Sequence, residues 1–440
     1  MKRSRRLFIF LFLVIALPID FFAGQAKEAK AGVQEKPAAQ ARGKFLFIKG
    51  GTVYTITKGV VHGGAILVRE GKIEKVGKDL IPPDGASVLN AEGKWIMPGF
   101  VVAQTASLAL NGLARDDRDP RLLNYLDPYS LQVRLCLASG ITAYSPSLFA
   151  GTGPARKSYT FVNAVIKPAY GRLRDMLINE PAYLLIDIAR LRPSEKDELR
   201  GFFQQARESM AKEEESEKAK VLGGEKPPAP PSPQIKNYVD ILKGKLAVRF
   251  AADRKKDILK ALSFVDEFGV RGQILGAAEG WLLPQEIGRR NISTILQPEG
   301  FFEPDRYRFP SGGSNIRNAV IQKESGIKFA LLSTSVFIST GGTLGTDLLT
   351  FPLAGSYAIR GGLGEEDALR AITLWPAELL GMSHRLGSIE EGKDADIIIL
   401  DGNPFDYRTY VDYTIINGEI LYDKSKSTFF ENIPKPKRIF

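Results

Sequence analysis

Imidazole and thiol are scarce in this chain. Its 440 residues include two histidines, His62 and His384, and one cysteine, Cys136. A binuclear histidine metal centre cannot be built from that inventory, and no Cys–His pair is evident. Any chemistry falls instead to groups at the ends of apolar, strand-like runs: Lys167 after "NAVI", Asp187 in "YLLID", Asp253 in "VRFAAD", Glu279 in "GAAEGW" and Asp347 in a Gly/Thr-rich stretch. Asp253 and Glu279 with a third acid would form an all-oxygen site suited to a hard ion such as magnesium or calcium. The competing reading is structural. Asp253-Arg254 would open the following helix, where an acid is favoured, and Lys167, before Pro168, would be a solvated loop residue. His62, in a hairpin, and His384, before a strand, read as surface polar residues. "ISTGGTLGT", residues 338–346, offers backbone N–H groups to an anion or is simply a flexible loop. There is no Gly-x-Ser-x-Gly elbow and no P-loop.

The elements that must position these residues alternate in type. "WIMPGFVVAQTASL", residues 95–108, runs through a Pro-Gly bend into a strand suited to burial on both faces. Strand side chains repeat with period two, so Gln104 and Ala106 share a face. A helical pattern, "SLQVRLCLASG", follows and buries Cys136. Further strands are expected at "ITAYS", "FVNAVI", "AYLLIDIA", "KLAVRFAAD", "RGQILGAA", "ISTILQP" and "KFALLST", with helices at "KKDILKALSFVDEFG", "LLPQEIGRR" and "AVIQKESG". Strand–helix alternation over this length predicts an α/β fold with a closed (β/α)₈ barrel over residues 98–385. A charged, then Pro-rich insertion at 205–237 is either a solvated excursion or a lid. The two ends, 45–97 and 386–424, carry short β-rich runs with glycine steps at Gly50-Gly51, Gly63-Gly64, Glu70-Gly71, Glu391-Gly392 and Asn417-Gly418. Neither end makes a stable sheet alone, so the two are expected to join in one β-sandwich.

Composition narrows the function classes. Hydrophobic content of 44% and charged content of 25% are ordinary globular values. Residues 1–26 place Lys2, Arg3, Arg5 and Arg6 before an apolar run from Leu7 to Ile19, then Gly24 and Ala26. This pattern reads as a signal peptide for export to a periplasm or the extracellular space. A membrane anchor is the alternative, if the segment stays uncleaved. Setting aside the leader's four bases and Asp20 lowers the net charge from +10 to +7. That excess is mixed with acids along the chain and ends in a basic tail at 425–440, a solvating pattern and not a nucleic-acid footprint.

Three stretches together carry a resemblance: "ILVREGKIEKVG", "GKWIMPGFV" and "GLGEEDALRAITLWPAELLGMSHRLGSIEEGKDADIIILDGNPF". In order and spacing this chain resembles the metal-dependent amidohydrolase superfamily, imidazolonepropionase-like branch, over roughly residues 45–424. The resemblance implies a (β/α)₈ barrel with a composite β-sandwich, and a divalent metal such as zinc activating water for attack on C–N bonds. It also locates the departures. Where the family has Asp-x-His-x-His, this chain has Val102, Gln104 and Ala106. For the family's "VRVHAHR" it has "VRFAADR", with Ala251 and Asp253, and "QILGAAEGW" lacks a histidine. Thr334 stands at the family's catalytic acid. The expectation is therefore a protein with no metal cofactor, its former ligand positions lining an empty pocket. It would act as a non-catalytic homologue or partner subunit, in a hetero- or homo-oligomer with an active relative. Alternatives are an atypical C–N hydrolase using a carboxylate site drawn from Lys167, Asp187, Asp253 and Glu279, or a small-molecule binding protein.

Overall fold

In the computed structural model, β1 (Phe45–Tyr54) pairs antiparallel with β2 (Val60–Arg69), which reverses into β3 (Lys72–Gly77). The described residues are 45–105, 108–110, 122–148, 156–221, 230–300, 303, 312–332 and 351–429, and all fall in one unit, Arg42–Phe440. Glu70 and Gly71 both take positive φ, as a tight hairpin demands. Gly50-Gly51 and Gly63-Gly64, expected as turns, instead lie inside β1 and β2, where the register shifts and Gly51 faces Gly64. Glycine bulges a strand as readily as it reverses one. Here it also makes room, since a Cβ on Gly51 would stand 2.6 Å from the Ile96 side chain. β4 (Ser87–Asn90) and β5 (Trp95–Pro98) join β1 in parallel.

Beyond Pro98-Gly99 the chain enters the second layer of structure. β6 (Phe100–Thr105) and β7 (Ile141–Pro146) are parallel and buried along their whole length. Helix Leu131–Ala138 between them is capped by the Ser130 side chain and encloses Cys136. β8 (Tyr159–Thr160), β9 (Val165–Ile166) and β10 (Leu177–Asn179) are short and pair antiparallel with their neighbours. The strand expected across "FVNAVI" is thus cut to two residues. The Asn163 side chain accepts from the backbone N–H groups of Ala182 and Tyr183 and donates to the Tyr183 carbonyl, so an amide takes the place of the ladder.

β11 (Tyr183–Asp187), β12 (Ala247–Ala252), β13 (Gly272–Gly276), β14 (Ser293–Leu296) and β15 (Phe329–Leu331) then run parallel. Helix Lys255–Phe268 returns the chain from β12 to β13 and stops at left-handed Gly269. The long charged helix is Pro193–Val221, starting upstream of the stretch read as an insertion. Its first half buries Leu199, Phe203 and Ala206, and Phe202 stacks on Tyr238 of helix Pro233–Leu242 at 5.1 Å. Residues 222–229 of the insertion lie outside the described residues, as do the leader (1–26) and the tail from 430. Among the described residues these strands form two hydrogen-bonded sheets, β10-β9-β7-β6 and β15-β14-β13-β12-β11-β8.

The chain closes with β16 (Ile397–Leu400), β17 (Val411–Ile416) and β18 (Glu419–Asp423), joined by the Asn417-Gly418 turn. β16 pairs with β5, so one eight-stranded sheet draws strands from both ends of the sequence. One face of it, with Ile48, Ile66, Ile96, Ile397 and Ile399, forms an apolar cluster of its own, while Ile398, Val411 and Ile416 join the larger core.

Candidate functional site

Four strands from these two sheets deliver polar side chains to one buried network. Gln104 of β6 is 1% exposed. Its oxygen accepts from the Tyr183 hydroxyl (2.8 Å) and from Arg249 Nη1 (2.9 Å). Its nitrogen donates to the Thr105 carbonyl (3.0 Å) and to the Ser147 hydroxyl. An amide offers two acceptor sites and two donor hydrogens, so this one is saturated. Arg249 of β12 also donates to the Ala103 carbonyl (2.7 Å) and to Gln273 of β13 (2.9 Å), and lies 3.6 Å from the centroid of the Tyr183 ring. Burial pushes its guanidinium down to about 10, against the pull of Tyr183. Tyr183, Arg249 and Gln273 do not stand out in the sequence as candidates. The available signal was a charged residue, Arg249, inside an apolar run and in phase with Ala251 and Asp253.

The acids and lysine near strand ends have separate occupations. Ala251 is flanked by Asp187 of β11 and Leu275 of β13. The Asp187 carboxylate lies 3.5 Å from Arg190 at the surface. Glu279 is 1% exposed, with one oxygen accepting from the Lys255 backbone N–H (2.7 Å) and the other from that of Gly313 (2.8 Å). The cap of helix Lys255–Phe268 therefore comes from Glu279. The expectation that Asp253-Arg254 would supply it is corrected, since no side chain at the N-cap position bonds the helix.

That leaves Asp253 facing a cavity of about 200 Å³ at the C-terminal ends of β12, β13 and β14. Burial raises its carboxyl, opposed by the Ala278 backbone N–H and the charge of Arg254, with Glu279 adding to the rise. Gly276 makes the position possible. It has φ +97°, and a Cβ there would meet Asp253 Oδ1 at 2.2 Å.

Lys167 is the clearest correction. It is fully buried, and no solvated loop residue. Its Nζ lies 2.7 Å from Asp394 and 2.8 Å from Asp396, and donates to the Asn417 side chain at 2.6 Å. Asp394 also pairs with Arg385 at 2.7 Å and with Lys72. The ammonium ties the end of β9 to the terminal sheet and is not available to a carboxylate site. Ala106, Thr334, Asp347 and the 338–346 loop lie outside the described residues. His62 and His384 are exposed.

The comparisons with known proteins agree with this architecture. An amidohydrolase family model matches residues 301–423. The amidohydrolase of Thermotoga maritima superposes with a TM-score of 0.67 at 25% identity, covering 86% of this chain and 100% of that one. Residues 301–423 thus carry an amidohydrolase family domain, and the chain is similar to amidohydrolases over most of its length. The 5′-deoxyadenosine deaminase of Methanobrevibacter smithii is 24% identical over 409 residues, 83% of this chain and 89% of that protein. The imidazolonepropionase of Thermoplasma acidophilum is 38% identical over 68 residues, a match spanning 17% of its length.

The resemblance implies a divalent ion, and the donors described here do not fit one. The Gln104 amide is fully engaged, Ala251 has no donor atom, and both Glu279 oxygens accept backbone N–H groups. Among the described residues, no three His, Cys, Asp or Glu side chains are grouped to hold a metal.

Proposed function

We propose that this amidohydrolase-family protein has given up metal-dependent hydrolysis and uses the mouth of a (β/α)₈ barrel, flanked by a composite β-sandwich, to bind a small molecule. The observation that carries the reading is the saturation of Gln104 by Tyr183, Arg249, Ser147 and the Thr105 carbonyl. Coordination would require breaking a buried bond to Tyr183 or Arg249, and leaving a buried donor unpaired costs about 1–3 kcal/mol, more for a charged group. The network also supplies a fixed cation, Arg249, in the barrel interior, which needs no metal to stay in place. The cavity over Asp253 supports a binding role. The basic and apolar character of residues 1–26 supports export to a periplasm or the extracellular space.

The test is elemental analysis of protein expressed with added zinc, manganese and magnesium, alongside assays with amide and cyclic imide substrates. Substoichiometric metal and no turnover are expected. A stoichiometric, chelator-resistant ion whose removal abolishes turnover overturns the reading.

A further inference from the structure

The cavity over Asp253 has an unusual balance of groups. Leu296 and Ile316 line it with Gln297, Asn315 and Asn318, and Asp253 is the only charged side chain among its described lining residues. Most of its polar groups are already engaged. Asn318 donates to the Ala277 carbonyl and accepts from Gln322, while the Asn315 side chain accepts from the Arg317 backbone N–H. Two groups stand apart. The Gln297 side-chain nitrogen is buried without a hydrogen-bond partner, and a buried unpaired donor is rare enough to call for an explanation. The Asp253 carboxyl has the Ala278 N–H as a hydrogen-bond partner, and its rise on burial shows that the Arg254 charge does not fully compensate it. Arg254 itself donates to the Glu303 carbonyl at 2.8 Å and lies 3.7 Å from Glu279. At about 200 Å³ the space is below the roughly 300–1,000 Å³ typical of drug-sized pockets, which limits the occupant to a few heavy atoms.

We propose that this cavity binds a small organic ammonium compound bearing an oxygen acceptor, its ammonium on the Asp253 carboxylate and its oxygen on the Gln297 side-chain amide. The two groups left over by the protein are one anionic acceptor and one neutral donor, and such a ligand satisfies both. A charge-assisted bond of this kind is stronger than a neutral one, while the apolar wall of Leu296 and Ile316 accepts a short carbon skeleton. Glu279, by taking over the helix cap, leaves Asp253 free for this role. The inference rests on the reading of the mouth as a metal-free pocket.

The experiment is calorimetric titration of the full chain with glycinamide, ethanolamine and, as the uncharged control, acetamide, in chelator at near-neutral pH. Asp253→Asn keeps the size and the Ala278 contact while removing the charge, and Ser314→Phe blocks the exposed rim without touching the core. Both amines are expected to bind wild type and to weaken about tenfold or more in Asp253→Asn. Ser314→Phe is expected to abolish binding, and acetamide to bind much more weakly. Acetamide matching the amines, amine binding unchanged in a folded Asp253→Asn variant, or no amine bound to wild type would each overturn the proposal. Because chelator is present throughout, these failures are separate from finding a metal in the purified protein.

Discussion

The guanidinium of Arg249 and the side-chain amide of Gln104 meet at 2.9 Å in the buried interior, joining β12 of the six-stranded sheet to β6 of the four-stranded one. Each partner is fully or almost fully buried. A buried charge is tolerable only with dense hydrogen bonding. Arg249 has a carbonyl, two amides and a ring face, while its Nη2 is buried without a hydrogen-bond partner. None of these contacts involves a metal ion.

Replacing Gln104 should therefore be costly. Gln104→Leu removes acceptors from the Tyr183 hydroxyl and Arg249, and is expected to destabilise the protein by about 2–4 kcal/mol, read by urea unfolding. Gln104→His should not create a zinc site, because Ala251 brings no donor. Equilibrium dialysis with zinc that showed a stoichiometric new site would contradict this.

Lys167 anchors the junction between the four-stranded sheet and the terminal sheet. Lys167→Met strands Asp394 and Asp396 without their shared ammonium, and breaking such a pair costs about 3–5 kcal/mol. Adding Asp396→Asn should recover part of that loss, since one buried carboxylate is then neutral. Chemical denaturation of the single and double variants measures the difference.

The same cluster gives an acid limb. Burial pushes the Asp394 carboxyl up, but the Lys167 charge and bonds from Lys167, Lys72 and Arg385 outweigh it and hold it at about 2, against an ordinary value of 3.8. The folded value is depressed, so its contribution is fully present above the ordinary value and is lost as pH falls toward 2. Asp396 works in the opposite sense: burial raises it despite Lys167, so its contribution declines as pH rises from its ordinary value through the raised one. Asp394→Asn should flatten the acid loss of stability, as followed by unfolding free energies across that window.

Gly276 sets the geometry of the cavity. Gly276→Ala places a Cβ 2.2 Å from Asp253 Oδ1 at φ +97°, a conformation that costs an L-residue about 1–3 kcal/mol. The variant should melt at lower temperature and bind glycinamide more weakly than wild type. Unchanged melting and binding would show that the Asp253 carboxylate moves freely.

The sequence alone determined the order of elements. Apolar runs of strand length alternating with 3.6-residue periodicity placed β11 through β15 and the helix Lys255–Phe268, and the turns at Glu70-Gly71 and Asn417-Gly418 were legible because left-handed backbone selects glycine and asparagine. These are local signals, carried by neighbours within a few residues. The glycine pairs inside β1 and β2 show the limit of such signals, because the same residue serves a bulge or a turn according to what packs against it. The partners of the polar residues were a tertiary decision. Gln104 meets Arg249 across 145 positions and Lys167 meets Asp394 across 227, and no periodicity records such pairings. Only the folded chain shows that Glu279 caps a helix and that Asp253 is left facing a cavity, because a buried charge is assigned by whichever donors the fold brings within reach.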